Sequence, residues 1–281
     1  SFKAGNYNIS YNVGTLKITA IPDEVTVTVK GNSDEKEYNG TEQIVRGYTV
    51  TSISNEHYKA EDFMLTKAAE AKGTEAGTYA MDLKAEDFVN ISDNFTKVTF
   101  KVEDGSLTIT PKTIVPDGPE TPEEKKTGIE VTNPEGSKYD GTEHKNAPTV
   151  TDTKTGKTLA EGTDYTLTYS DDVTNAGTVT VTVAGIGNYT GEFNVTYAIT
   201  KRDVVLTSAT DSKVYDGEPL TRPEVTVTGD GFVEGEVTKL RASGSVTTVA
   251  EGEVDNAIEY TEGDSFKAGN YNISYNVGTL K

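Results

Sequence analysis

Hydrophobic and polar residues alternate with a period of two along much of the chain. Val and Thr alternate through residues 25–29 and 179–183, and again within residues 225–229. This period puts successive side chains on opposite faces of an extended strand, and β-branched residues favour that conformation. Helical periodicity is nearly absent. Residues 60–71 allow a turn or two of helix, or a strand that begins at residues 63–65. The pattern therefore predicts an all-β protein.

The chain carries the same segment, without a change, at both ends. Residues 1–17 read Ser-Phe-Lys-Ala-Gly-Asn-Tyr-Asn-Ile-Ser-Tyr-Asn-Val-Gly-Thr-Leu-Lys, and residues 265–281 are identical. The offset of 264 residues (265 minus 1) indicates one period of a tandem array plus an overlap. One face of the segment carries four large side chains, those of Tyr7, Ile9, Tyr11 and Val13. Because that face needs a cover, we expect residues 1–17 to be ordered by a neighbouring molecule or by head-to-tail stacking.

A motif of Tyr, then Asn or Asp, then Gly occurs three times, and we call each copy a turn box. Asn-Gly and Asp-Gly favour tight turns because both residues tolerate positive φ, and the Tyr ring before them can anchor the turn on a small core. A structural role is therefore predicted for Tyr38, Asn39, Gly40, Tyr139, Asp140, Gly141, Tyr215, Asp216 and Gly217. Further along the chain, each turn box is followed by an Ala-Gly pair and a closing strand, at residues 105–110, 197–200 and 278–281.

These boxes divide the chain into modules. The predicted parts are a closing hairpin of a preceding module (1–19), module one (20–111), a Pro-rich linker (112–126), module two (127–201) and module three (202–281). The prolines of the linker favour extended polyproline geometry and a semi-rigid spacer. We expect three small β-sandwich-like, Ig-like modules arranged end to end as an elongated rod. The alternative is β-grasp-like α+β modules.

The charge balance bears on the choice of partner. With 26 basic and 45 acidic residues the formal net charge is −19. A nucleic-acid partner needs a basic surface, and an anionic membrane also attracts basic segments, so neither partner is expected. The apolar runs are too short to cross a membrane. The chain contains no Cys, so sheet pairing and small cores must stabilise it without disulfides.

The residue types that carry catalysis are sparse. His57 and His144 fall in different modules, which leaves a Ser-His-Asp triad or a His-based metal site without its residues. The acidic pairs at 171–172 and 161/164 offer oxygen ligands for Ca²⁺, but solvated loops are the simpler interpretation. An isopeptide crosslink would require a buried Lys beside an acid, and the sequence does not single out a pair. No enzyme activity, cofactor, metal or catalytic residue is therefore predicted.

Taken together, the boxes resemble the MBG or YDG-type repeat domains of large bacterial surface proteins. The resemblance rests on the Lys-x-Tyr-Asp-Gly opening, the Ala-Gly-x-Tyr middle and the Gly-Thr-Leu-x-Ile-Thr ending. Module two is similar to an Ig-like variant from the same proteins, and module one departs most, with Asn39 in place of Asp. The resemblance implies an extracellular segment of a stalk or adhesin, attached to the cell wall, often of a Gram-positive cell. It implies no catalytic residues.

Two functions follow as hypotheses. In the first, the chain is a structural stalk segment that projects a distal binding domain, and its partners are adjacent copies of the same repeat. In the second, the modules themselves bind a host ligand such as mucin or another glycan. The rings of Tyr38, Tyr139 and Tyr215 are the candidate ligand contacts, since aromatic faces suit carbohydrate.

Overall fold

The computed structural model describes residues 2–281 as two compact units, which meet between Pro111 and Lys112. Ser1, the first residue of the repeated segment, lies outside the described residues. The described chain contains strands and short 3₁₀ turns but no α-helix, which confirms the all-β prediction and leaves the α+β alternative without its helix. The 3₁₀ turns are Ala4–Asn6, Ala60–Asp62, Ala85–Asp87, Glu123–Lys125, Val249–Glu251 and Ala268–Asn270.

The first unit contains ten described strands in four small sheets, ordered β4-β1-β9, β2-β10-β7, β3-β6 and β5-β8. The strands are β1 (Val25–Gly31), β2 (Asp34–Glu37), β3 (Gln43–Arg46), β4 (Tyr48–Ile53), β5 (Phe63–Leu65), β6 (Glu70–Gly73), β7 (Gly77–Ala80), β8 (Phe88–Asn90), β9 (Val98–Glu103) and β10 (Ser106–Thr110). The stretch at residues 60–71 resolves into a 3₁₀ turn followed by a strand, so both interpretations of it hold in part.

The core of the first unit forms on one face of β1. Val25, Val27 and Val29 are fully buried, whereas the Thr residues between them are half-buried. β1 is the central strand of its sheet, so neighbours on both sides cover it. Four aromatic rings complete this core, those of Tyr58, Phe63, Phe88 and Phe95. The alternating valines thus form the buried face of β1.

The second unit contains eighteen described strands in seven sheets, ordered β11-β18, β12-β14-β15, β13-β19-β17-β16, β22-β20-β27, β21-β24, β23-β26 and β25-β28. The strands are β11 (Lys112–Thr113), β12 (Ile129–Thr132), β13 (Ser137–Lys138), β14 (Thr149–Asp152), β15 (Lys157–Thr158), β16 (Tyr165–Tyr169), β17 (Gly177–Gly185), β18 (Tyr189–Thr190), β19 (Glu192–Thr200), β20 (Arg202–Ser208), β21 (Leu220–Thr221), β22 (Val225–Gly229), β23 (Val237–Ala242), β24 (Ser245–Val246), β25 (Val254–Asn256), β26 (Ile258–Glu262), β27 (Tyr271–Asn276) and β28 (Gly278–Leu280).

One hydrophobic core runs through the second unit from Tyr139 to Tyr271. It includes Val179 and Val181 of β17, and it continues onto Val204 and Leu206 of β20. Only Lys201 separates β19 from β20, so the chain passes directly from one sheet into the next. β22 forms where the alternation predicts a strand, but Val227 is exposed because β22 is an edge strand. A smaller core, separate from this one, contains Leu220, Val246 and Leu280.

The Pro-rich segment at 112–126 is attached to the second unit along its first half. β11 pairs in parallel with β18, and Ile114 is fully buried. The side chain of Asp117 accepts hydrogen bonds from the backbone N–H groups of Thr127 and Gly128. Residues 112–117 therefore contact the second unit, which proline content alone does not reveal, and the assignment of residues 112–126 as a linker stays a prediction.

Candidate functional site

The three turn boxes share one local geometry. Gly40, Gly141 and Gly217 have φ values of 76°, 83° and 86°, in the left-handed region that glycine adopts without strain. The residue before each Gly accepts a backbone bond from two residues further on: Asn39 from Thr41 and Asp140 from Thr142, both at 2.9 Å, and Asp216 from Glu218 at 3.0 Å. These Asx turns explain why Asn or Asp occupies that position.

The charged members of the boxes are held as carboxylates. Hydrogen bonds from the Thr142 side chain and backbone lower the pKa of Asp140 below its usual value. The Lys213 ammonium and the Glu218 backbone N–H do the same for the pKa of Asp216. Asn39 makes the same turn without a charge, which shows that the side-chain oxygen rather than the charge forms the turn.

Each turn box adjoins a closing strand in the same register. In the first unit β2 pairs in parallel with β10, and the Tyr38 N–H donates to Thr110 O. In the second unit β13 pairs in parallel with β19, and the Tyr139 N–H donates to Thr200 O. In the third case Asp211 forms a parallel bridge with Leu280, just as Asp34 is paired with Leu107. The box and its closing strand are therefore one repeated unit of pairing.

The tyrosine rings of the boxes do not share one environment. Tyr38 and Tyr139 are buried, so their rings lie in the cores of their units. The Tyr215 side chain is 62% exposed. The carbohydrate-contact hypothesis for all three rings stays a prediction, and Tyr215 alone among them presents its ring to solvent.

Tyr139 belongs to a buried clamp built around one carboxylate. Glu236 is buried and accepts hydrogen bonds from the hydroxyls of Tyr139 and Tyr271, the latter at 2.6 Å. The two rings meet edge to face with centroids 5.7 Å apart. Burial and the Glu236 carboxylate raise the pKa of Tyr139 to about 12, and they raise the pKa of Tyr271 as well. The clamp therefore needs both tyrosines in the neutral, donating form.

The clamp joins the sheet that contains β13 to the sheet that contains β20. On one side of it the Arg202 guanidinium donates to Tyr139 O at 3.2 Å. On the other side Asn270 accepts from the Ala176 N–H at 2.8 Å and donates to the Asn175 side chain at 3.0 Å. Ala176 begins one of the Ala-Gly pairs of the sequence, and Asn270 directly follows another, Ala268-Gly269. These two repeated segments thus contact each other at this junction.

Tyr215 lies at the edge of a groove of about 390 Å³. Its apolar lining comes from Tyr215, Leu220, Val246 and Val249, and Lys213 and Lys281 also line it. Leu220 and Val246 also pack on Leu280, so the floor of the groove belongs to the smaller core.

The comparison with known families adds one finding to this geometry. Residues 25–111 match the family model of the MBG domain. The first unit contains an MBG domain. MBG domains are typical of surface-protein repeats, which confirms the resemblance for this part of the chain. No curated protein and no solved structure matches the chain.

One member of each acidic pair outside the MBG domain has protein partners. Asp172 accepts from the backbone N–H groups of Thr174 and Asn175, and these bonds, led by that of Asn175, lower its pKa. Asp164 is buried and accepts from Lys157 Nζ at 2.7 Å and the Ala160 N–H at 2.9 Å. Among residues 2–281 no cluster of three or more His, Asp or Glu side chains is placed to hold a metal ion.

The two histidines have separate local roles. His57, in the MBG domain, is exposed beside Glu56. His144 Nε2 lies 3.0 Å from Asp140 Oδ1, so it supports the second turn box. No helix among the described residues combines the length and the apolar character needed to cross a membrane.

Lys112 and Asp152 form a buried ion pair in the second unit. Lys112 Nζ lies 2.7 Å from Asp152 Oδ2, and the side chains are 3% and 0% exposed. The same oxygen accepts from the Tyr189 hydroxyl at 3.2 Å, while Oδ1 accepts from the backbone N–H groups of Lys154 and Thr155. A buried Lys beside an acid is the requirement for an isopeptide. Here four donors stabilise the ionised carboxylate, so we interpret the contact as an ion pair.

Glu236 and the Lys112–Asp152 pair are the features that sequence reasoning missed. Glu236 is one of several acidic residues at 230–236, and nothing nearby in the sequence marks it as buried. Lys112 and Asp152 are 40 residues apart. Covariation between such positions would be the usual signal, and a single sequence does not contain it.

Proposed function

We propose that this chain is a structural tandem-repeat segment of a bacterial cell-surface stalk or adhesin, which projects a distal binding domain away from the cell. The observation that carries the proposal is the pairing of turn box with closing strand, which recurs in one register at Tyr38, Tyr139 and Tyr215. The MBG domain at residues 25–111 supports it, because such domains are typical of surface-protein repeats.

A stalk needs junctions that hold their angle, and the second unit contains a suitable one. Its core is continuous between the predicted modules two and three, and the Glu236 clamp ties Tyr139 to Tyr271 across them. A polar clamp with paired donors fixes one geometry, since any other arrangement would bury an unpaired carboxylate. The proposal extends this end-to-end arrangement to all three modules.

The charge of the chain suits this role. A net charge of −19 makes neighbouring stalks repel and keeps them soluble. The proposal places the chain outside the cell, attached to the wall, with adjacent copies of the repeat as its partners. It assigns no catalytic role, cofactor or metal.

Small-angle scattering of the full chain tests the rod. Strands of ten residues are about 33 Å long, so three modules in line span about 100 Å and give a radius of gyration near 30 Å. A compact globule of the same 281 residues has a radius of gyration of about 19 Å. A measured value near the globular one would overturn the rod.

One observation favours the second function, in which the modules bind a host glycan. The exposed ring of Tyr215 lines a groove, as a carbohydrate contact would require. Binding to immobilised mucin glycans that Tyr215→Ala abolishes and Tyr11→Ala preserves would support this function. Tyr11 is the matched control because its ring is also exposed but lies outside the turn boxes. An absence of binding by the unmodified chain would eliminate it.

A further inference from the structure

Asn39 and Gly40 form the single Asn-Gly pair in the sequence. Every other Asn is followed by a residue that has a side chain. The amide nitrogen of a Gly is the least hindered one that can follow an Asn, because Gly carries no Cβ. This pair is therefore the place where the backbone can most readily attack the preceding side-chain amide.

The first turn box leaves the attacking nitrogen accessible. Asn39 and Gly40 are both exposed. Among residues 2–281 no acceptor receives a hydrogen bond from the Gly40 N–H, whereas the N–H groups of Tyr38 and Thr41, on either side of the pair, are both bonded. Loss of the Gly40 proton to hydroxide therefore breaks no hydrogen bond of the fold.

The same turn polarises the carbonyl of the Asn39 side chain. Its Oδ1 accepts from the backbone N–H of Thr41 and from the Thr41 hydroxyl, both at 2.9 Å. When a nitrogen adds to Cγ, negative charge develops on this oxygen, and hydrogen bonds to a charged acceptor are stronger than those to a neutral one. Thr41 thus supplies two donors that are aimed at the developing charge.

The other two turn boxes share this geometry but lack the leaving group. Asp140 accepts from the N–H and the hydroxyl of Thr142, in the same pattern as Asn39. Asp216 accepts from a backbone N–H two residues further on and from a Lys side chain. Both residues are carboxylates because these bonds lower their pKa values, and a carboxylate has no neutral group to expel. Asn39 carries an amide, which can leave as ammonia.

We propose that Asn39 is a deamidation site, activated by the two donors of Thr41, and that the folded turn directs its conversion to Asp. The Gly40 nitrogen gives its proton to hydroxide and forms a bond to Asn39 Cγ. The Cγ–Nδ2 bond then breaks, and the departing nitrogen takes a proton from water and leaves as ammonia. Water adds to Cγ of the resulting succinimide and opens its bond to the Gly40 nitrogen, which restores the ordinary backbone. The net reaction consumes one water and releases one ammonia, and the proposal does not rest on the stalk function.

The fold favours Asp over the alternative product, isoaspartate, in which the side chain becomes part of the backbone. The turn accommodates Asp, since the second turn box folds around Asp140 with the hydrogen bonds that the first one makes. Isoaspartate instead lengthens the backbone directly after Tyr38, whose N–H is bonded to the closing strand at Thr110 O. Because isoaspartate can close to the succinimide again, the product that fits the fold accumulates. The reaction thus gives the first box the charge that the other two already carry.

Peptide mapping by mass spectrometry, after incubation of the native chain at neutral and mildly alkaline pH, tests the proposal. Cleavage by trypsin at Lys30, Lys36 and Arg46 puts Asn32 and Asn39 in separate peptides. Digestion at mildly acidic pH keeps the reaction from continuing in the peptides. Asn39 should deamidate, faster at the higher pH, while Asn32, which is also exposed but precedes a Ser, stays intact. If Asn39 stays intact while the urea-unfolded chain deamidates there, the fold protects this residue and the proposal is overturned.

A matched pair of substitutions tests the contribution of the Thr41 hydroxyl. Thr41→Val removes this donor and Thr41→Ser keeps it, and both variants should fold because residue 41 is exposed. Thr41→Val should slow deamidation about fivefold, the effect of one neutral hydrogen bond. Thr41→Ser should leave the rate nearly unchanged. Equal rates in both variants, or faster deamidation in Thr41→Val, would overturn the activating role of Thr41.

The product of the reaction tests the directing role of the turn. The Asn39→Asp variant provides the chromatographic standard, and its tryptic peptide should coincide with the main product from the native chain. The urea-unfolded chain, which lacks the turn, should yield mainly the isoaspartyl peptide. The same ratio of the two products from native and unfolded chains would contradict the directing role.

Discussion

At the scale of single residues, Lys112 is a position where we expect substitution to destabilise the second unit strongly. Its ammonium group and the Asp152 carboxylate are both buried, so Lys112→Met leaves an uncompensated charge in the core. We expect a loss of about 3–5 kcal/mol in the free energy of unfolding of the second unit. Urea denaturation would measure it. The double variant Lys112→Met with Asp152→Leu should recover most of the loss, because it removes both charges.

Lys145 provides the comparison for that experiment. It pairs with Glu143 at 3.0 Å, but both side chains are more than half exposed. Lys145→Met should therefore change the free energy of unfolding by less than about 1 kcal/mol. Similar losses for Lys112→Met and Lys145→Met would contradict the structural role of the buried pair.

Ionisation of Tyr139 limits the pH range over which the Glu236 clamp is stable. Its pKa of about 12 lies above the ordinary value of 10.0, so the folded state holds the proton more tightly than the unfolded state. The stability that this group contributes is present below pH 10 and is lost as the pH rises towards 12. Unfolding of the second unit should therefore become easier across this range.

Tyrosine substitutions isolate that contribution. Tyr139→Phe removes the titrating hydroxyl, so the free energy of unfolding should fall less between pH 9 and about pH 12 than in the unmodified chain. Tyr215→Phe, at an exposed ring, should leave the alkaline loss as it is. If the free energy of unfolding falls as much in both variants as in the unmodified chain, the Tyr139 hydroxyl does not stabilise the second unit in the way proposed.

At the scale of elements, the two copies of the repeated segment allow one sequence to be compared in two environments. Amides of β27 and β28 are hydrogen-bonded to β20 and β25, whereas residues 7–16 form no strand. Because the sequences are identical, their unprotected exchange rates are identical too. In a dilute sample we expect protection by orders of magnitude at residues 271–280 and little at residues 7–16. Comparable protection in both copies would contradict the difference.

Hydrogen exchange of the two copies needs a method that separates them. NMR assigns each amide by its flanking residues, and mass spectrometry can use peptides that extend past Lys17 or before Ser265.

The elements also show what the sequence could predict. Alternation identifies Val25, Val27 and Val29 as a buried face because that signal is local and β1 is central in its sheet. The same alternation at β22 does not reveal that Val227 lies on an edge strand. Residues 2–17 show the limit most directly, since one sequence is folded at one end of the chain and exposed at the other. The strands that pair with a given segment depend on the whole fold rather than on the segment's own sequence.

The candidate site also has a part that the sequence predicts and a part that it does not. The turns at Tyr38, Tyr139 and Tyr215 were predictable because Asn-Gly and Asp-Gly form them locally, through the Asn or Asp side-chain oxygen and the positive φ of the Gly. The partners of those rings were not, because Glu236 is 97 residues from Tyr139. Long-range pairs of this kind depend on the topology, which a single sequence does not specify.

At the scale of the whole molecule, we propose that the three modules follow each other end to end and hold that arrangement, so that the chain provides reach. The chain contains no Cys, so two introduced cysteines can be labelled without a background. Glu42 and Glu253 are suitable exposed positions, one in the MBG domain and one in the predicted third module.

The distance between spin labels at Glu42→Cys and Glu253→Cys tests this claim most directly. With two module lengths between the labels, the account predicts a single narrow distance peak at about 60 Å or more. A peak below about 50 Å, the diameter of a compact globule of this size, or a broad distribution without a peak, would contradict it.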